Sequence, residues 1–122
     1  MKKILIADDH FEIRELLKDT LEGENREIHF AENGRTAVRM AREEQPEIII
    51  MDIMMPGRIN GLEATQQIKA DELSKNSKII ILSAKGKDKD KINALEAGAS
   101  AYIEKPFSPA DLADKIDKLL KS

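Results

Sequence analysis

The chain has 122 residues, a formal net charge of -3 and no cysteine. This length predicts a single domain over residues 1–122 with a core of its own, and the lack of thiols excludes a disulfide framework and cysteine-ligated zinc. The excess of acidic side chains argues against direct binding to a nucleic acid, because phosphate backbones bind clustered cations. No apolar run approaches the ~18 residues that span a membrane, so we expect a cytoplasmic protein without a membrane partner.

Predicted strands and predicted helices alternate along the chain, beginning with a strand. Three of the five strand segments are unbroken apolar runs rich in β-branched residues, which is typical of parallel strands covered on both faces. The second segment alternates between polar and apolar residues and therefore suits an edge of the sheet. In chain order the predicted strands are Ile4–Ala7, Glu27–Ala31, Ile48–Met51, Ile79–Leu82 and Ala101–Ile103.

Each strand is followed by a segment with the spacing of a helix face. The second helix must end before Pro46, the third begins at Gly61, and Gly98 suits the terminus of the fourth. Ser108 can cap the last helix, and Pro109 fits its first turn. In chain order the faces are marked by Ile13, Leu16, Leu17 and Leu21; by Ala37, Val38 and Ala41; by Leu62, Thr65 and Ile68; by Ile92 and Leu95; and by Leu112, Ile116, Leu119 and Leu120.

Five consecutive strand–helix units predict a doubly wound α/β fold. Its five strands form a parallel sheet with right-handed crossovers and with helices on both faces. The segment Lys85–Lys91 is rich in lysine, but its charges alternate in sign. This alternation favours a solvated helix start over a surface that contacts a partner.

Polar side chains stand directly after four of these strands. Asp8 and Asp9 follow the first strand, and Asp52 follows the third. Ser83 follows the fourth strand, and Lys105 comes after the fifth. Because ligands of open α/β sheets bind beyond the carboxyl ends of the strands, we expect all five side chains at one edge of the sheet.

Three carboxylates at one edge require a counter-charge. Two such charges 4 Å apart repel by ~4 kcal/mol at an effective dielectric constant of about 20, and two close pairs approach the ~5–15 kcal/mol stability of a small domain. Lys105 alone cannot offset this repulsion. Mg²⁺ can, because it prefers oxygen ligands and binds through one or two carboxylates when a phosphate is the other ligand. The sequence therefore predicts an Mg²⁺ site.

The whole chain resembles the receiver domain of bacterial two-component response regulators. The resemblance rests on Asp8-Asp9, on Asp52 to Pro56, on Ser83-Ala84 and on Lys105-Pro106-Phe107. Each motif alone is weak, but all four in this order on five strand–helix units form a specific signal. The resemblance implies a flavodoxin-like fold with strand order 2-1-3-4-5 and a cis bond between Lys105 and Pro106.

The resemblance also implies a role for each residue at the sheet edge. Asp52 is the expected phosphoacceptor, whose carboxylate becomes an acyl phosphate. Asp9 is expected to bind Mg²⁺ directly and Asp8 through water, with further ligands from Asp52 and from the backbone carbonyl of Met54. Lys105 is expected to pair with a phosphoryl oxygen.

Two further residues match the switch of the family. Ser83 corresponds to the hydroxyl residue that moves to the phosphoryl group, and Tyr102 to the aromatic residue that turns into the vacated space. A tyrosine half-buried in a strand with its hydroxyl in water is the simpler alternative for Tyr102.

The resemblance implies a response regulator that is not a turnover enzyme. The phosphoryl donor is expected to be a sensor histidine kinase or a phosphotransfer protein, and the output a downstream effector protein that the sequence does not identify. The protein is expected to be a monomer or a weak phosphorylation-dependent dimer. The loop from Pro56 to Gly61 departs from the family pattern by one extra residue, which Gly57 suggests that the loop can absorb.

Three other functions remain open from the residues alone. A pseudo-receiver would bind partners without phosphorylation, although the complete acid and lysine set argues against it. A flavodoxin-like cofactor module needs a phosphate cradle after the first strand, where Asp8-Asp9-His10 would repel a phosphate. A phosphohydrolase of the aspartyl type places a second aspartate at position 10, which is histidine here.

The remaining candidates have simpler structural roles. His10 is expected to be a solvated residue of the first helix. Met54 and Met55 are expected to pack rather than to bind a metal through sulfur, which suits softer cations. Exposed parts of the first helix, including Phe11, could dock a phosphohistidine donor.

Overall fold

The computed structural model describes residues 2–23, 25–84 and 88–121, and it confirms the predicted alternation. All strand pairs are parallel, and the order in the sheet is β2-β1-β3-β4-β5. The second strand lies at an edge, as its alternating pattern predicts. In chain order the elements are β1 (Lys2–Ala7), α1 (Phe11–Leu21), β2 (Arg26–Ala31), α2 (Gly34–Glu44), β3 (Ile48–Asp52), α3 (Gly61–Ala70), β4 (Lys78–Ala84), α4 (Asp88–Ala97), β5 (Ala101–Lys105) and α5 (Pro109–Lys121).

The sheet carries a hydrophobic layer on each face. Because successive side chains of a strand point to opposite faces, Ile49 and Ile81 meet α2, α3 and α4, whereas Ile50 and Ile80 meet α1 and α5. Helices on both faces confirm the doubly wound arrangement. Among the described helices, none has the length and apolar character needed to cross a bilayer. The buried helix residues that close the two layers include Leu17, Leu21, Ala37, Ala41, Ala64, Ile68, Ala94, Leu112 and Ile116.

Three residues predicted on helix faces lie outside the core. Leu16 of α1 is 42% exposed, and Ile92 and Leu95 of α4 are 58% and 55% exposed. Helix α4 instead buries Ala94 and Ala97. Small side chains allow this helix to approach the sheet closely, so apolar spacing predicted the helix correctly but not the face that it buries. Of the predicted solvated start of this helix, residues 85–87 lie outside the described part of the chain, and α4 begins at Asp88.

The connection from β3 to α3 absorbs its extra residue through a turn and a cap. Gly57 has a φ of +106°, a conformation that glycine adopts without steric cost. The side chain of Asn60 accepts a hydrogen bond from the backbone of Glu63 at 2.9 Å, and the Glu63 carboxylate accepts one from the Asn60 backbone at 3.0 Å. This reciprocal capping box fixes the start of α3.

The ends of α4 and α5 also follow the prediction. Gly98 closes α4 with a φ of +105°, and its N–H donates to the carbonyl oxygen of Leu95 at 3.1 Å. Ser108 caps α5 by accepting a hydrogen bond from the backbone N–H of Asp111 at 3.3 Å. The peptide bond between Lys105 and Pro106 is cis, as the family resemblance implies.

Candidate functional site

The carboxyl ends of β1, β3 and β5 bring the predicted acids and the lysine together. Asp8 is fully buried, and Asp52 is buried with 3% exposure. The ammonium nitrogen of Lys105 lies 3.2 Å from Oδ2 of Asp52 and 3.6 Å from Oδ2 of Asp8. One ligand atom each from Asp8, Asp9, His10 and Asp52 falls within 4.8 Å of the others. The site therefore contains the acid and lysine residues that the sequence predicts.

The position of Asp52 is set by main-chain contacts on both of its sides. It is the last residue of β3, where it pairs with Leu82 of β4. The N–H of Ile53 then donates to the carbonyl oxygen of Leu82 at 3.2 Å, and the N–H of Gly61 donates to that of Ile53 at 2.9 Å. Asp52 thus stands at the end of the central strand of the sheet.

The electrostatics of Asp52 oppose its ionisation. Burial raises the pKa of its carboxyl above the usual value, and the nearby charge of Asp8 raises it further. The ammonium of Lys105 and a hydrogen bond from the backbone of Met54 lower the pKa in part. Because the effects that raise the pKa of Asp52 outweigh those that lower it, Lys105 does not fully offset the burial of Asp52 and the charge of Asp8.

Two carboxylate oxygens at this site are buried and poorly satisfied. Among the residues that the structure describes, Oδ2 of Asp8 has no hydrogen-bond donor and lies 3.6 Å from the ammonium of Lys105, while Oδ2 of Asp52 depends on the same ammonium at 3.2 Å. Leaving a buried acceptor such as Oδ2 of Asp8 unsatisfied costs about 1–3 kcal/mol. A divalent cation that prefers oxygen ligands would satisfy both oxygens, so the residues present fit Mg²⁺.

His10 is solvated, as expected, but it also contacts the acids of the site. Its ring is 55% exposed, but Nδ1 lies 2.9 Å from Oδ1 of Asp8 and 3.3 Å from Oδ1 of Asp9. The hydrogen bond with Asp8, followed by the charge of Asp9, raises the pKa of His10. The residue occupies the N-cap position of α1, which turns it back toward the acids. This turn is the one signal from which the sequence could have placed it.

Ser83 contacts a carboxylate other than that of Asp52. Its hydroxyl donates a hydrogen bond to Oδ2 of Asp90 on α4 at 2.7 Å. The sequence did not identify Asp90, because seven positions separate it from Ser83. Both residues border a small cavity of about 150 Å³ that is lined by Asp52, Ile53, Met54, Ser83, Ala84 and Asp90.

Tyr102 and Ser83 share one face of the sheet. Tyr102 pairs with Ile81 in the register of β4 and β5, and Ser83 pairs with Glu104 two positions further. Side chains at such diagonal positions are within reach of a tyrosine ring. The ring of Tyr102 is partly buried against the layer that α2, α3 and α4 cover.

Met54 and Met55, which follow Asp52, differ in how far their side chains are exposed. Met55 packs against the core as expected, but the expectation of a packing role for Met54 is wrong, since its side chain is 76% exposed. An exposed side chain leaves the backbone of Met54 as the part of this residue that faces the site.

Comparisons with known proteins agree with this geometry. The family model of the response regulator receiver domain matches residues 4–117. The chain is 41% identical over 120 residues to the phosphate regulon transcriptional regulatory protein PhoB of Pseudomonas aeruginosa, covering 98% of this chain and 52% of that protein. It is 41% identical over 119 residues to the transcriptional regulatory protein ResD of Bacillus subtilis, covering 98% and 48% respectively. The chain thus spans about half the length of the curated relatives that it matches.

A solved structure extends the comparison to the site. The receiver domain of the sensor histidine kinase PA1611 from Pseudomonas aeruginosa has a magnesium ion coordinated in its active site cleft. It superposes with a TM-score of 0.88 at 29% identity, over 99% of this chain and 98% of that chain. With the family model spanning nearly all of its strands and helices, the chain belongs to the response regulator receiver domains, the signalling modules of two-component systems.

Proposed function

We propose that residues 1–122 form one receiver domain that accepts a phosphoryl group on Asp52 in the presence of Mg²⁺. The single observation that carries this proposal is the buried carboxylate of Asp52, whose Oδ2 lies 3.2 Å from the ammonium of Lys105 and within the cluster formed with Asp8 and Asp9. Asp52 has a raised pKa and lies beside Asp8 and Asp9, which can bind a cation. Its carboxylate is suited to nucleophilic attack once a metal and a phosphoryl group are bound.

The metal would be held by residues that the sheet edge already brings together. Asp9 would bind Mg²⁺ directly and Asp8 through water, while Asp52 and the backbone carbonyl of Met54 would complete the protein ligands. When bound, Mg²⁺ neutralises charge on the transferring phosphoryl group. The half-exposed carboxylate of Asp9, with 33% exposure of its side chain, leaves a path for the hydrated ion.

The transfer itself is an in-line exchange of one bond for another. A carboxylate oxygen of Asp52 forms a bond to phosphorus, and the bond from phosphorus to a donor imidazole nitrogen breaks. The electron pair of that bond stays on the imidazole. Lys105 would pair with a phosphoryl oxygen, and its present contacts with Asp8 and Asp52 place the ammonium in reach. The product is an acyl phosphate on Asp52, and hydrolysis of that bond resets the domain.

The output would pass through Ser83 and Tyr102. The Ser83 hydroxyl would leave its present position to donate to a phosphoryl oxygen, and the Tyr102 ring would turn into the vacated space. Their shared face of the sheet supports this coupling. The domain would act once per phosphorylation on an effector protein, as a monomer or weak phosphorylation-dependent dimer, rather than turn over a substrate.

A groove beside Lys105 fits the expected docking of the donor. It has a volume of about 400 Å³ and lies between α1 and the segment that follows β5. Leu16, with 42% exposure, contributes to its apolar lining, whereas Phe11 of α1, with 64% exposure, does not line it. A helix of a histidine kinase or phosphotransfer protein seated there would bring a phosphohistidine to the edge of the site. The residues that line the groove are Ile13, Leu16, Ala84, Lys105, Pro106 and Phe107.

The proposal is tested by labelling with acetyl phosphate and Mg²⁺. We expect one phosphoryl group per chain, dependent on Mg²⁺ and labile to base and hydroxylamine. Asp52→Asn should abolish labelling, whereas Asp19→Asn, a matched change at an exposed residue near the end of α1, should not. Lys105→Ala should reduce the response of Tyr102 more than it reduces labelling. Equal labelling of Asp52→Asn and the parent would contradict the proposal and favour a pseudo-receiver.

A further inference from the structure

The Ser83 hydroxyl is held by a residue that the proposed mechanism does not use. Asp90 lies in the first turn of α4, and its Oδ2 accepts the Ser83 hydrogen bond at 2.7 Å. Ser83, Asp52 and Asp90 border the same cavity. The Ser83 hydroxyl therefore borders the same cavity as the carboxylates of Asp52 and Asp90, and its hydrogen bond goes to Asp90.

This arrangement creates a competition for one proton. A serine hydroxyl has a single donor, so Ser83 cannot donate fully to Asp90 and to a phosphoryl oxygen on Asp52 at the same time. The hydrogen bond with Asp90 is charge-assisted, which places it among the stronger kinds in proteins. Its loss must be offset whenever Ser83 turns toward the phosphoryl group.

We propose that Asp90 is a positioning residue that holds Ser83 in the resting orientation and thereby sets how readily the Asp52 site accepts a phosphoryl group. This inference rests on the proposed function of Asp52 and extends it to α4. Asp90 does not touch the reacting atoms and acts through the Ser83 hydroxyl alone.

The same hydrogen bond ties α4 to the sheet. Helix α4 buries only Ala94 and Ala97 and leaves Ile92 and Leu95 exposed, so its apolar contacts with the sheet come from small side chains. The hydrogen bond from Ser83 adds a polar link between the sheet and the first turn of this helix. When Ser83 turns toward the phosphoryl group, that link breaks and the first turn of α4 is released.

The test uses beryllofluoride, an analogue of the phosphoryl group, in the presence of Mg²⁺. Binding is measured by fluorine NMR for the full chain, for Asp90→Ala, for Ser83→Ala and for the double variant. Asp88→Ala is the matched control, because it removes the same charge from the same turn of α4. We expect Asp90→Ala to bind about tenfold more tightly, the equivalent of one charge-assisted hydrogen bond at the low end of its range. Asp88→Ala should change binding less than about twofold, as surface charges do.

The Ser83→Ala background separates positioning from simple repulsion between Asp90 and the analogue. If Asp90 acts through Ser83, adding Asp90→Ala to Ser83→Ala leaves the affinity unchanged. If the gain is the same in both backgrounds, Asp90 acts by charge alone and the inference is overturned. Asp90→Asn, which keeps an oxygen acceptor without the charge, should fall between the parent and Asp90→Ala.

The same experiment separates the proposed function of Asp52 from the role of Asp90. A parent chain that binds no beryllofluoride with Mg²⁺ overturns the proposed function, and the role of Asp90 with it. A parent that binds the analogue while Asp90→Ala binds it equally well overturns the role of Asp90 alone. Circular dichroism of each variant checks that the helix content is retained.

Discussion

Gly61 lies directly against the main chain of Asp52. A Cβ atom built on Gly61 would overlap the carbonyl oxygen of Asp52 and stand 2.9 Å from Cα of Ile53. These atoms are backbone and cannot rotate away. The first residue of α3 therefore determines how closely this helix approaches β3, and any side chain there must displace Asp52 or the helix.

Gly61→Ala should damage both the fold and the site. The clash with backbone should cost about 2–4 kcal/mol in the free energy of unfolding, as severe overpacking does. Labelling of Asp52 by acetyl phosphate should fall at least tenfold in the fraction that remains folded, because a misplacement of about 1 Å has that effect on a reacting group. Urea unfolding and labelling of the same sample measure the two effects. An alanine variant with parental stability and labelling would contradict the close contact.

Asp52 is predicted to destabilise the domain in the absence of a divalent cation. Its pKa is raised in the folded state above 3.8, so the folded state binds the proton more tightly than the unfolded chain. By linkage, its contribution to stability is greatest below pH 3.8 and is lost as the pH rises through the raised folded value. Asp52→Asn should therefore be more stable than the parent at neutral pH, by about 1 kcal/mol after allowance for screening at the open site.

The pH and the metal provide the controls for this prediction. The difference in stability between Asp52→Asn and the parent should shrink as the pH falls below the raised pKa, because both side chains are then neutral. Mg²⁺ should stabilise the parent more than the variant, since ligand binding to the folded state adds stability. Thermal unfolding with and without Mg²⁺ measures this. If Asp52→Asn were less stable than the parent without metal, the charge of Asp52 would not destabilise the folded domain.

His10 should titrate above an ordinary histidine in the metal-free domain. Its pKa is raised from 6.5, mainly by the hydrogen bond with Asp8, so its stabilising contribution is complete below pH 6.5 and is lost as the pH rises through the raised value. NMR titration of the His10 ring should show the raised value, and Asp8→Asn should lower it. An unchanged His10 titration in Asp8→Asn would show that the contact does not form in solution.

Gly98 offers a test of the fold away from the site. Its φ of +105° disfavours any side chain, and a Cβ atom there would stand 2.9 Å from Cγ of Lys69. Gly98→Ala should lower the free energy of unfolding by about 1–2 kcal/mol. Gly23→Ala is the control, because nothing lies within 4 Å of a Cβ atom at that position. Equal effects of the two substitutions would contradict the positive φ and the close contact described for Gly98 at the end of α4.

The sequence allowed much of the fold and most of the acidic site to be predicted. The unbroken apolar runs required strands covered on both faces, and parallel strands carry their following residues to one edge. Asp8, Asp52 and Lys105 therefore had to lie at one edge of the sheet, within reach of one another. These placements follow from backbone topology, and the structure confirms them.

The contacts that escaped prediction depend on side-chain direction instead. The hydrogen bond of Ser83 with Asp90 requires a particular rotation of the hydroxyl and a particular angle of α4, and neither has a signature in residue spacing. The ring of His10 folds back because of the N-cap geometry of α1. The buried face of α4 was also misjudged, since alanines rather than Ile92 and Leu95 meet the sheet.

We expect Asp52, and no other carboxylate of the acidic site, to accept the phosphoryl group. The chain is incubated with acetyl phosphate and Mg²⁺, the acyl phosphate is reduced with borohydride, and the modified residue is located by peptide mass spectrometry. We expect reduction at position 52 alone, with none in the absence of Mg²⁺. Modification of Asp8 or Asp9 instead, or an unmodified chain under conditions that bind Mg²⁺, would contradict this expectation.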